Sequence, residues 1–177
     1  ERQQKLAINE KYSSFYNYHP DVILELDLQG YVLNTNIACR EITGFSQEQI
    51  QGKQYWTFIP DEYHELVDAA FKSALLGKSQ HYEIPVYNAL EKIIWLDIIN
   101  LPIIQNQKVT GVFTIARDIS VNRKNKESLR LLKRGVDASP SGMFITDASE
   151  NMVISFVNPA FLKQVGYTEE EVIGRNY

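Results

Sequence analysis

Gly44-Phe45-Ser46-Gln47-Glu48-Gln49-Ile50-Gln51-Gly52 returns later in the chain as Gly166-Tyr167-Thr168-Glu169-Glu170-Glu171-Val172-Ile173-Gly174. Glycine, aromatic, hydroxyl, acidic and β-branched positions all keep register. Working outward, Asn36-Ile37-Ala38 matches Asn158-Pro159-Ala160, and the stretch from His19 to Asp27 matches that from Ser139 to Asp147. The paired asparagines and glycines lie 122 residues apart, and Asp27 lies 120 from Asp147. The two extra residues therefore fall in the turn after the first strand, where insertions cost little. Self-similarity of this kind marks one supersecondary unit used twice. The second copy stops at Tyr177, so the chain reads as one complete unit and the front half of another, a fragment of a longer tandem-domain protein.

The first copy parses into an α+β plan. Ile8, Tyr12 and Phe15 share a helical stripe, which predicts an N-terminal helix over 1–18. Val22, Leu24, Leu26 and Leu28 alternate with Ile23, Glu25 and Asp27 as in a half-buried strand, and Gln29-Gly30 turns into a second strand at Tyr31-Val32-Leu33. Asn36 is positioned to cap a short helix that Gly44 ends, and Ser46 to cap the next, with Glu48 or Gln49 near the capping-box position. Pro60 opens the clearest helix, with Tyr63, Leu66, Val67, Ala70, Phe71, Ala74 and Leu75 on one face and Gly77 as its stop. Three strands follow. Tyr82, Ile84 and Val86 alternate around Pro85, an edge-strand residue, then come Ile93 to Ile104 and, after Asn106-Gln107, Val109 to Ala116. Strands with the helices gathered between them predict an antiparallel sheet with helices on one face.

A charged helical stretch over 121–136 follows, with Leu129, Leu132 and Val136 at heptad spacing. It reads either as a solvated linker helix or as a parallel coiled coil in a homodimer.

The Asp27-x-x-Gly30 turn, Asn36-x-Ala38, Gly44 to Gly52, and Arg117-Asp118-Ile119-Ser120 together resemble the signatures of PAS domains with their C-terminal PAC strands. The resemblance covers 12–120 fully and the front half of a second copy from 130 onward. It implies a five-stranded antiparallel sheet with helices over one face, and domains at 19–120 and 137–177. It also implies a sensory or dimerising role, usually in a bacterial signalling protein such as a histidine kinase or a cyclic-di-GMP enzyme (diguanylate cyclase or phosphodiesterase).

Composition and motifs narrow the chemistry. Lys+Arg total 18 against 22 Asp+Glu, a net charge of −4, so there is no basic field for nucleic acid or anionic lipid. No apolar run approaches the roughly 20 residues of a membrane span, and the segment is expected to be cytoplasmic within a parent that membrane segments elsewhere could anchor. Cys39 is the one cysteine, which excludes a disulfide framework. No phosphate loop or nucleophile elbow is present, and Glu169-Glu170-Glu171 reads as an acidic helix start, so no catalytic residue is assigned. Light-sensing flavin-binding members of the resembled family read Gly-x-Asn-Cys where this chain has Gly52-Lys53-Gln54-Tyr55 and Gly174-Arg175-Asn176-Tyr177. Neither copy has the thiol that a cysteine–flavin adduct needs. Haem is not expected either: His64 is the one histidine on the long helix, and it falls beside the apolar face. His19 and His81 are too scattered for a metal cluster. The cofactor stays unknown.

Two functions follow. As a ligand sensor, the domain would line a pocket with Leu24, Leu26, Ile37, Trp56, Phe71, Ile98, Phe113 and Ile115, residues that otherwise simply fill the core. Its signal would leave through Asp118, Ile119 and Ser120, with Asp118 capping the linker helix. As a ligand-free interaction module, it would dimerise through Ile8, Tyr12 and Phe15.

Overall fold

The computed structural model describes residues 2–148 and 152–176. The chain divides into two compact units, 1–121 and 122–177.

In the first unit, α1 (Arg2–Tyr18) leads into β1 (Val22–Leu26) and β2 (Val32–Thr35). Next come α2 (Ile37–Thr43), α3 (Gln47–Ile50), two short 3₁₀ turns and α4 (His64–Leu75). The strands β3 (Gln80–Tyr87), β4 (Ile93–Gln105) and β5 (Lys108–Asp118) complete it. The five strands form one antiparallel sheet in the order β2-β1-β5-β4-β3. Pro85 sits on β3, an edge of that sheet, where its missing N–H costs no ladder bond.

Local chemistry explains the helix boundaries. Gly44 ends α2 at φ 78°, a left-handed conformation that carries no Cβ penalty only in glycine, and its N–H returns to the Arg40 carbonyl. Ser46 and Gln49 form a reciprocal capping box on α3. On α4, Val67, Ala70, Phe71 and Ala74 are buried against the sheet, whereas Leu66, expected on that face, is exposed. Leu66 precedes Val67 on the helix, about 100° round the axis from it, and falls at the margin of the stripe.

Asn36 differs from expectation. Its side chain makes no cap bond. Instead Oδ1 accepts from Ile23 N at 3.0 Å, while Nδ2 donates to the Asp21 carbonyl at 2.9 Å and the His19 carbonyl at 3.3 Å. The residue pins the start of β1 to the start of α2. Strand β1 is also more buried than alternation predicts. Ile23, on the face opposite Val22 and Leu24, is buried, and the Tyr16 hydroxyl of α1 reaches its carbonyl. Helix α1 thus docks on the outer face of the sheet through Tyr16, leaving Ile8, Tyr12 and Phe15 exposed.

The second unit contains most of α5 (Ser120–Asp137), then β6 (Phe144–Thr146), β7 (Ile154–Val157), α6 (Pro159–Val165) and α7 (Glu169–Val172). Several hydrogen bonds of the first unit recur in it. Asn158 Oδ1 accepts from Met143 N and Nδ2 donates to the Ser141 carbonyl, as Asn36 does at β1. Gly174 N donates to the Ile154 carbonyl as Gly52 N does to Val32. The isolated bridge Tyr31–Gln54 returns as Val153–Asn176. Glu169-Glu170-Glu171 is an acidic helix start as expected, with Thr168 and Glu171 in a capping box. In this copy Asn158 gains further partners, the Val136 carbonyl of α5 and Phe161 N. No described helix is long and apolar enough to cross a membrane.

Candidate functional site

Between the sheet and helices α2–α4 of the first unit lies an interior cavity of about 80 Å³. Strand β1 supplies Val22, Leu24 and Leu26, α4 supplies Val67 and Phe71, and β4 supplies Leu96 and Ile98. No Asp, Glu, Lys, Arg or His lines it. Its polar groups are few. Thr114 Oγ1 donates to Asn100 Oδ1 at 2.9 Å, and Asn100 Nδ2 donates to Tyr82 Oη at 3.1 Å. Thr43 is engaged with the Cys39 carbonyl. The Tyr55 hydroxyl is buried and has no hydrogen-bond partner among the described residues. Burial first, and the charge of Asp68 second, push the Tyr55 phenol up, while burial carries Tyr82 to about 12 against a smaller opposing effect of the Asn100 hydrogen bond. Tyr55 is fixed from behind: Gly30, at φ 84°, passes so close that a Cβ there would meet the Tyr55 ring at 2.6 Å. Phe71 packs its ring against Tyr55 at 4.9 Å.

Of the expected lining residues, the structure places Leu24, Leu26, Phe71 and Ile98 on the cavity and four elsewhere. Ile37 is exposed on α2 beside a surface groove with Asn17 and Arg40. Trp56 is partly exposed and meets Tyr55 edge to face. Phe113 and Ile115 point to the opposite side of the sheet, because Thr114 and Ala116 of the same strand face the cavity and side chains alternate. Phe113 lies beside Tyr16 of α1 there. Tyr55, Tyr82, Asn100 and Thr114 were missed. Polarity within apolar strands was the available signal for Tyr82, Asn100 and Thr114, whereas Tyr55 lies in a 3₁₀ turn. Cys39 is buried and lines the cavity. His64 lies outside it, its Nε2 against the Ile59 carbonyl at 2.9 Å. Tyr177 lies outside the described residues.

Strand β5 runs on from the cavity wall to the start of α5. Beyond Ala116, Arg117 forms a two-pronged ion pair with Asp21 at 3.0 and 3.1 Å, tying β5 to the entrance of β1. Asp118 Oδ1 accepts from Ser120 N at 2.8 Å, as a helix-starting carboxylate does. Ile119 N donates to the Trp95 carbonyl, and Trp95 N donates to Ser120 Oγ, so the first residue of α5 is tied to β4.

Comparison with known families finds the PAS domain matching residues 20–121 and the PAS fold matching 130–177. The chain belongs to the PAS family. PAS domains are sensory, non-catalytic modules, and the segment is not an enzyme. Among solved structures, the PAS domain of a protein from Colwellia psychrerythraea shares 26% identity at a TM-score of 0.59, over 64% of this chain and 98% of that one. The PAS domain of an HTR-like protein from Haloarcula marismortui shares 17% at 0.56, over 67% and 98%. A domain of a sensor histidine kinase/response regulator from Geobacter sulfurreducens shares 15% at 0.56, over 63% and 94%. No curated protein matches.

Proposed function

We propose that the PAS domain over 20–121 senses a small molecule held between its sheet and helices, and relays occupancy through β5 to α5. The observation that carries this is one of continuity. Thr114 and Ala116 wall the cavity, Arg117 ties the same run to Asp21 at the entrance of β1, and Asp118 and Ser120 anchor the helix start. A ligand that favours one setting of β5 favours one setting of α5, and differential affinity for the two settings shifts the population. The receiver is an output domain of a signalling protein. The likeness to a sensor histidine kinase domain supports that class, and cyclic-di-GMP enzymes are the alternative. A cytoplasmic location belongs to the same reading. Native mass spectrometry of the purified protein and a thermal-shift screen of metabolites test it, with hydrogen exchange at 117–125 as the relay readout. A bound mass or a stabilising metabolite that also changes exchange at the helix start is expected. A bare protein mass with no shift from any metabolite rejects the reading.

A second reading is favoured by a separate observation. The exposed stripe of α1, with Ile8 at 65% and Phe15 at 63% exposure, suits a ligand-free dimerisation module whose partner is a second copy.

A further inference from the structure

The cavity has a chemistry of its own, and resting on the sensor reading above, we infer that it takes a small neutral molecule carrying one hydrogen-bond-accepting oxygen, of the size of a three- or four-carbon ketone or alcohol.

Size comes first. A cavity needs roughly 10–15 Å³ of such volume to hold one water-sized group, so 80 Å³ admits only about five to eight non-hydrogen atoms. A flavin, a haem or a nucleotide does not enter without remodelling the core. Charge comes second. No ionisable Asp, Glu, Lys, Arg or His stands on the wall, so a carboxylate or an ammonium would be buried without a counter-ion, which is strongly unfavourable. The third point decides the functional group. Tyr55 lines the cavity, and its Oη is buried and gives its proton to no described residue. Tyr82 Oη already accepts from Asn100, and no hydrogen bond among the described residues takes its proton. Both phenols keep that proton, since burial raises each above the ordinary range. The wall therefore offers donors, and an oxygen acceptor answers them. Elsewhere it is aliphatic or aromatic, which suits the short hydrocarbon part of such a molecule.

Three probes of nearly one shape separate the claims: acetone, its hydrocarbon analogue isobutene, and acetate. Each is titrated into the 177-residue chain while the amide NMR signals of Tyr55, Tyr82 and Thr114 are followed. Acetone is expected to move them saturably, with affinity on the order of millimolar for so few atoms, and acetate to leave them in place. Tyr55→Phe, which removes a hydroxyl without a protein partner and so leaves the fold intact, is expected to weaken acetone about tenfold, the worth of one hydrogen bond. Isobutene binding is expected to stay unchanged, and Tyr82→Phe serves as the second donor test. Equal binding of acetone and isobutene, indifferent to both substitutions, overturns the acceptor claim yet leaves the cavity a ligand site. Binding of acetate as tight as acetone overturns neutrality. Silence from all three probes removes the cavity itself as a site, and this inference with it.

Discussion

Tyr82 and Tyr55 bring two phenols into an apolar interior, and their ionisation links the site to stability. Burial holds Tyr82 at about 12, against 10.0 for a free phenol. Tyr16 and Tyr55 are raised for the same reason. Below pH 10 both the folded and unfolded chains keep these protons, so the full stability is present. Above it the unfolded chain ionises first, and stability falls until the folded phenols titrate. For Tyr82 alone the loss is roughly 2–3 kcal/mol by about pH 12. Urea unfolding followed by tryptophan fluorescence at pH 9, 10 and 11 checks this, because Trp56 and Trp95 both lie in the first unit. A midpoint nearly level from pH 9 to 10 and lower at pH 11 is expected, with a smaller drop in Tyr82→Phe, and a midpoint constant to pH 11 contradicts it. Asn36 shows why single residues are hard to read in advance. Its place before a helix suits a cap, but Ile23 and Asp21, far away in sequence, offer buried backbone groups that need a partner more than a solvated helix end does. Asn158 makes the same backbone bonds, caps α6 through Phe161 N as well, and is fully buried.

At the level of elements, turns and caps were legible because their chemistry is local. The capping box of α3, the glycine stop of α2 and the Asn106-Gln107 turn between β4 and β5 all form where expected. Both turn residues hold positive φ, 49° and 63°. That suits asparagine and strains glutamine. Gln107→Gly should therefore raise the stability of the first unit by about 0.5–1 kcal/mol, read as a higher urea midpoint at unchanged slope. An unchanged or lower midpoint means that the turn carries no such strain. Strand β5 was legible as a strand but not in its facing. It runs between two neighbours, and α1 covers part of its outer side, so apolar residues occupy both faces and the alternation that reports orientation fades. Phe113 and Ile115 therefore look like cavity residues in the sequence but face the other side of the sheet.

Over the whole molecule, two helices carry apolar residues to solvent. Helix α1 shows Ile8, Tyr12 and Phe15, and α5 buries none of its residues, Leu129 and Leu132 included. If the second copy of the chain is the partner of α1, Ile8→Glu with Phe15→Glu converts a dimer to a monomer in sedimentation velocity, while Tyr16, which anchors the helix to its own sheet, stays in place. An unchanged mass before and after substitution rejects dimerisation through α1. Repeat, element order and family membership all rest on short-range patterns: alternation, glycines at positive φ, and caps within a few residues of one another. Those patterns sufficed to define an α+β PAS plan. The cavity is of another kind. Tyr55, Tyr82, Asn100 and Thr114 converge from a 3₁₀ turn and three strands, and the tie of Arg117 to Asp21 spans 96 positions. Which of these side chains meet, and which hydroxyl is left without a partner, depends on strand register and on what covers each face of the sheet. Only the packed structure decides those.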